Sequence, residues 1–206
     1  MPRTALSPDQ IDDFRERLVE AASRLFARRG YDGVTLRAIA AELGCSPMTP
    51  YRYFPDKAAI FAAVRTRAFD RFADSQEAAC AGRENALEAL GELGRAYAGF
   101  AVDSPDTYRL MFELSQPDPE AYPEVWEAAQ RSIAPLRACM ARAIDAGFLE
   151  GDPDVLTHVF WSGVHGIVSL HLAGKLSFEL GLDDLLQPVL STLFRGNQRA
   201  PSEEEA

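Results

Sequence analysis

Residues 35–57 read TLRAIAAELGCSPMTPYRYFPDK. Thr35 offers a hydroxyl that can accept from an early backbone amide, and Leu36, Ile39, Ala40 and Leu43 then fall on one helical face. Gly44 stops that helix, since glycine tolerates the left-handed conformation of a C-terminal cap. Ser46 followed by Pro47 repeats a start signal, so the spacing predicts a second short helix running through Phe54. Two short helices joined by Gly44-Cys45-Ser46 make a helix-turn-helix, whose second helix enters the DNA major groove by its N-terminal end. Pro50 sits inside that second helix. With Ser46 as cap, the missing Pro50 amide removes the first intrahelical bond, so the helix is expected to begin later or with a tighter turn.

The polar residues of the segment suit a clamp on a phosphate backbone: the Thr35 and Ser46 hydroxyls, the Tyr51 and Tyr53 phenols, and Arg37, Arg52 and Lys57. Helix starts near residues 36, 47 and 57 add amide donors for phosphates. Read without nucleic acid, the same stretch is a three-helix cap in which Tyr51, Tyr53 and Phe54 only pack. The capping hydroxyls combined with Lys57 favour the first reading.

Outward from this segment, helical spacing continues with caps between. Ile11, Phe14, Leu18, Ala22 and Leu25 mark a first helix ending near Gly30, and Pro55-Asp56 opens a long helix over 56–80. Beyond Gly82, helices are expected at 84–102, 105–115, 120–146, 153–173 and 183–195. Ser104-Pro105-Asp106, Asp118-Pro119-Glu120 and Asp152-Pro153-Asp154 supply their starts, and Gly147, Gly174 and Gly196 their ends. Pro123 and Pro135 are expected to bend or split the 120–146 helix. The chain thus reads as all-α with about nine helices: a helix-turn-helix domain over 1–56, a helical bundle over 57–200, and an acidic tail over 201–206.

The formal net charge of −10 argues against nucleic acid until its distribution is seen. Residues 1–67 hold 11 Lys+Arg against 8 Asp+Glu, while residues 68–206 hold 10 against 23. A mildly basic module on an acidic body is compatible with DNA, although the excess alone does not establish it. Composition is that of an ordinary soluble chain, at 47% hydrophobic and 25% charged residues. The N-terminal stretch has no apolar run of the signal-peptide kind, and the weakly charged stretch Val159–Gly174 falls short of the ~20 residues a membrane span needs. Cys45, Cys80 and Cys139 have neither disulfide-framework nor zinc spacing.

The segment 35–57 resembles the DNA-binding motif of the TetR family, T-x-R-x-I-A-x-x-x-G-V-S-x-x-T-[LIF]-Y-x-[HY]-F-x-x-K-x-x-[LI]. It matches at Thr35, Arg37, Ile39, Ala40, Gly44, Ser46, Thr49, Tyr51, Tyr53, Phe54, Lys57 and Ile60. Cys45 stands where the family has valine, and Pro50 where it has a bulky apolar residue. Leu25-Phe26-Ala27 with Gly30, Tyr31 and Val34 is similar to the family's preceding helix, and Trp161-x-x-x-His165-Gly166 resembles the W-x-x-x-H-G signature of a subgroup's effector domains. The resemblance implies phosphate contacts at Thr35, Ser46, Tyr51, Tyr53 and Lys57, and base contacts at Arg37, Met48, Thr49 and Arg52. It implies a cytoplasmic bacterial homodimer that binds a palindromic operator, most often as a repressor, and answers to a small-molecule effector.

In the second domain, Tyr97, Phe100, Tyr108, Met111, Phe112, Trp126, Met140, Trp161 and His165 are rich in aromatic rings and methionine, which suits an apolar or aromatic ligand. His165 is either the group that orients such a ligand or a core histidine satisfied by the backbone. Ser162, Gly166 and Ser169 form a small-residue stripe, and Leu186, Val189, Leu190 and Leu193 a wide apolar one. Together they read as a dimer interface built as a four-helix bundle, the alternative being that both helices are intramolecular core. An enzyme is disfavoured: no nucleophile elbow, phosphate loop or dinucleotide fingerprint is present, and His158 and His165 lie two turns apart with no metal-ligand partner. No cofactor or metal is expected. A DNA-organising or adaptor protein without a ligand stays as a further alternative.

Overall fold

The structure is a computed structural model that describes residues 7–112 and 121–198. It holds eight α-helices and, among the described residues, no strand, only an isolated bridge between Leu149 and Gln198. The helices are α1 (Pro8–Arg29), α2 (Leu36–Glu42), α3 (Lys57–Cys80), α4 (Ala86–Asp103), α5 (Pro105–Phe112), α6 (Pro123–Asp145), α7 (Pro153–Leu172) and α8 (Leu182–Gly196). The expected ninth element is a single 3-10 turn, Pro50–Arg52, in place of an α-helix from Pro47 to Phe54.

Local chemistry explains most boundaries. Ser7 and Gln10 form a reciprocal capping box at the start of α1, with Pro8 at the first helical position. Thr35 accepts from the Ala38 amide at 3.2 Å to open α2. At its end the Gly44 amide bonds the Ala41 carbonyl and the Cys45 amide bonds the Ala40 carbonyl, a Schellman closure that needs the Gly44 φ of 65°. Asn85 and Asp152 cap α4 and α7 through their side chains. Gly147 and Gly174 close α6 and α7 in the same left-handed way, but Gly196 is the last residue of α8 and Asn197 its cap. Pro123 stands at the first position of α6, where no amide bond is lost. Pro135 lies within α6, which continues through it, so of the expected bend or split no split occurs there. The expected cap at 118–120, the ends of the 105–115 and 120–146 helices that fall on 113–120, and the tail 201–206 lie outside the described residues.

The described residues form two compact units, one of 7–70 with 106–112 and 121–129, the other of 71–105 with 130–198. The first is built on Leu18, Leu25, Phe26, Val34, Ile39, Phe54, Ile60, Phe61, Val64 and Leu110, so α1, α2, α3 and α5 share one core. Each such side chain removed from water stabilises the unit by about 2 kcal/mol. Phe26 and Phe61 meet edge to face at 4.9 Å, and Arg65 donates to the Met111 carbonyl at the end of α5.

In the second unit α4, α7 and α8 pack closely because two glycines permit it. A Cβ on Gly94 would lie 2.9 Å from Leu190 Cδ1, and one on Gly163 would lie 2.7 Å from Leu193 Cδ1. Phe160, Val164 and Val168 of α7 and Leu90 and Leu93 of α4 fill the centre. Arg131 of α6 holds Asp74 and Glu77 of α3, and Arg137 of α6 pairs with Asp154 of α7. α7 is long and apolar enough to cross a membrane by length and composition, a test the core helix of a soluble protein also passes.

Candidate nucleic-acid interface

α2 and the 3-10 turn are joined by Gly44-Cys45-Ser46, and the turn takes its shape from Pro50. Without an N–H, Pro50 cannot bond the Ser46 carbonyl. That carbonyl instead accepts from the Thr49 amide at 2.8 Å, and Arg52 bonds back to Thr49 and Tyr53 to Pro50, all three residues apart. Three-residue bonds are 3-10 geometry, so the element both starts late and winds tightly, and a four-residue bond from the Phe54 amide to the Pro50 carbonyl closes it at 3.0 Å.

The turn and its flanks present a polar, accessible surface. Thr35, Arg37, Ser46 and Arg52 are exposed, and Met48 and Tyr51 stand 68% and 50% exposed. An apolar residue as open as Met48 has no packing role in the chain itself. Thr35 and Ser46 use their oxygens as acceptors for the Ala38 and Met48 amides, which leaves each O–H able to donate to a phosphate.

Thr49, Tyr53 and Lys57 are half-buried and already engaged or partly covered. The Tyr53 ring stacks on Phe14 of α1 at 4.5 Å. Lys57 donates to the Tyr31 carbonyl at 2.9 Å and stands 4.0 Å over the Tyr31 ring. An ammonium has three donors, so this bond leaves two for a phosphate. Burial, with Asp56 and Asp32 nearby, pushes the Tyr31 phenol above its ordinary value, so it stays neutral.

Sequence reasoning placed Phe14 only on the apolar face of the first helix and missed Arg15. Arg15 donates to the Tyr53 carbonyl at 2.8 Å and lies 4.4 Å over the Phe54 ring. Nothing in the spacing marks the contacts of these residues with the turn, and the bond from Arg15 to Tyr53 spans 38 positions.

Of the residues considered for a ligand, Tyr97, Phe100, Met140, Trp161 and His165 lie in the second unit. There Trp161 Nε1 donates to the Tyr97 hydroxyl at 3.2 Å, and that oxygen lies 2.9 Å from His165 Nδ1. Burial holds the His165 pKa below its ordinary value, so the ring is neutral at pH 7 and can accept the Tyr97 proton at Nδ1. Phe72 of α3 packs edge to face on Tyr97 and against Phe100, each at 5.1 Å. Met140 is fully buried. Tyr108, Met111, Phe112 and Trp126 belong to the first unit. Tyr108 and Met111 are buried there, whereas Trp126 stands 63% exposed and is no wall of an interior pocket in this chain.

The residues considered for a dimer interface separate as well. Ser162 is exposed, Gly166, Ser169 and Leu186 are half-buried, and nothing lies within 4 Å of a Cβ placed on Gly166. Val189 and Leu193 turn toward Gly163, and Leu190 is 6% exposed against Gly94. Leu190 therefore belongs to the chain's own core, a correction to its place in the expected interface.

A core shared by α1, α2, α3 and α5, in which α2 is followed by a glycine turn and a second, exposed polar turn, has the form of a helix-turn-helix domain. Residues 18–64 match the family of bacterial regulatory proteins named for tetR, and residues 90–193 match the tetracyclin repressor-like C-terminal domain. The chain belongs to the TetR family of DNA-binding transcriptional regulators, which are not enzymes. It is 27% identical to the HTH-type transcriptional regulator Rv0681 of Mycobacterium tuberculosis, across 90% of this chain and 82% of that protein. It is 28% identical to the HTH-type transcriptional repressor AcnR of Corynebacterium efficiens, across 91% and 96%. A solved structure of a protein of unknown function from Rhodococcus sp. RHA1 superposes with a TM-score of 0.78 at 26% identity, covering 96% of this chain and 98% of that one.

Proposed function

We propose that the chain acts in the bacterial cytoplasm as a homodimeric repressor, released from a palindromic operator by a small apolar or aromatic molecule. The division of labour is a DNA-binding domain over 1–56 and a ligand-binding and dimerisation domain over 57–200. Thr35, Ser46, Tyr51, Tyr53 and Lys57 hold phosphates, and Arg37, Met48, Thr49 and Arg52 reach base edges.

The observation that carries this reading is the outer face of α7. Val155, Val159, Ser162, Gly166 and Leu170 share it at helical spacing, with Val155, Val159 and Leu170 at 59%, 37% and 47% exposure. Asp154, Val155, His158, Val159 and Ser162 line an open groove along it. An apolar face with a glycine at its middle suits close packing against its own copy across a two-fold axis, with Leu186 of α8 at its side. Homodimers and ligand response are typical of the family. A two-fold dimer doubles the base contacts and matches half-sites about 34 Å apart.

The ligand is assigned to the aromatic group of Tyr97, Phe100, Trp161 and His165. It releases DNA only if it favours a conformation whose reading turns no longer match successive grooves. Moving that equilibrium from 1:99 to 99:1 takes about 5.5 kcal/mol of differential affinity. The test begins with in vitro selection of bound duplexes, which returns a palindrome if the reading holds. A thermal-shift screen of apolar aromatic and fatty acyl compounds follows, with hits carried into operator release. Compounds that raise the melting temperature and never change operator affinity would leave a constitutive DNA-binding protein as the better reading.

A further inference from the structure

The segment that presents Met48, Tyr51 and Arg52 is held mostly by bonds within single turns: Thr49 to Ser46, Arg52 to Thr49, and Tyr53 and Phe54 both to Pro50. Pro50 and Pro55 both lack an N–H, and the 3-10 turn that Pro50 opens is three residues long. So short an element leaves carbonyls at its end that a longer helix would satisfy internally. Tyr53 is the cap residue of this turn, and its carbonyl accepts from Arg15 Nη1 at 2.8 Å. The same guanidinium covers the Phe54 ring at 4.4 Å, while the adjacent Phe14 stacks on the Tyr53 ring with planes 28° apart. Two successive residues of α1 thus grip two successive residues at the end of the turn.

The geometry points to Arg15 as a positioning residue for DNA reading: it caps the shortened turn from α1 and sets the direction in which Tyr51 and Arg52 leave it, and with it the approach of Met48 just ahead of the turn. The inference rests on the assignment of this turn as the DNA-reading element. A full α-helix at this place has its own bonds to fix its direction; a single 3-10 turn flanked by prolines borrows that rigidity from α1. The need for Arg15 therefore follows from Pro50.

The experiment uses the full chain, a duplex obtained by in vitro selection and a scrambled duplex of equal length, well below the melting temperature. Arg15→Gln is expected to lower affinity for the selected duplex about tenfold while changing the scrambled duplex by no more than about twofold. Arg15→Lys keeps a charge and a donor and should recover most of the selectivity. Pro50→Ala restores an amide that can bond the Ser46 carbonyl, and in that background Arg15→Gln should cost no more than about twofold. Equal losses on both duplexes, with the salt slope lowered by about one, would make Arg15 a phosphate contact and overturn the proposal. So would an undiminished Arg15→Gln penalty in the Pro50→Ala background. If Met48→Ala and Arg52→Ala also leave selectivity unchanged, the assignment of the reading element fails; if they change it and Arg15→Gln does not, only the role of Arg15 falls.

Discussion

Lys57, the first residue of α3, donates to the carbonyl of Tyr31, 2.9 Å away, with its ammonium over the Tyr31 ring. The bond ties the start of α3 to the connection between α1 and α2. One side chain thus joins two parts of the helix-turn-helix unit, and the bond uses one of its three N–H donors.

Replacing Lys57 with Ala should therefore have two separable effects. Loss of the Tyr31 contact should lower the unfolding free energy by about 1–2 kcal/mol, read by urea titration. Loss of a phosphate partner should weaken binding to all duplexes and flatten the salt slope by about one. Destabilisation with an unchanged salt slope would confine Lys57 to a structural role.

Base preference should move with the exposed residues. Arg37→Ala or Met48→Ala should change the sequence recovered by in vitro selection and leave the melting temperature within a degree or so, because neither side chain is buried. Recovery of the parental sequence from both variants would exclude them from base contact.

Substitutions on α7 and α8 should separate assembly from folding. Val159→Asp should leave the fold intact and shift the protein toward the 22.6 kDa monomer in light scattering, since it places a charge on the proposed dimer face. Leu190→Ala should instead cost about 2–4 kcal/mol of stability by opening a cavity against Gly94. A wild-type chain that scatters as a monomer at micromolar concentration would remove the dimer.

His165 should make folding pH-dependent in the acid range. Its folded pKa lies below the ordinary 6.5 through burial, so the unfolded chain binds more protons between the two values. The stability this neutral ring contributes is fully present above pH 6.5 and is lost as pH falls through the folded pKa. Melting temperatures compared for wild type and His165→Gln across that window should converge toward acid pH. Parallel curves would mean that burial does not perturb His165.

The two tryptophans should report a ligand unequally. Trp161 is bonded to Tyr97 inside the second unit, whereas Trp126 is largely exposed in the first. A ligand against the Tyr97 group should change fluorescence in Trp126→Phe and leave Trp161→Phe silent. The reverse pattern would place the ligand elsewhere.

What the sequence determined by itself was what local bonds decide. Caps act within four residues, so Thr35, Gly44 and Asp152 could be read as boundaries, and Pro50 announced a late or tighter turn by the amide it lacks. Which side of a helix meets which neighbour is not local. An apolar stripe as wide as that of α8 fits several rotations about its axis, and only packing turned Leu190 onto Gly94 and Leu193 onto Gly163 while leaving Gly166 open. The grips of Lys57 on Tyr31 and of Arg15 on Tyr53 were likewise out of reach, since they join residues 26 and 38 positions apart. No periodicity encodes such pairs; they exist because burial of one shared core brings α1 and α3 to the same place.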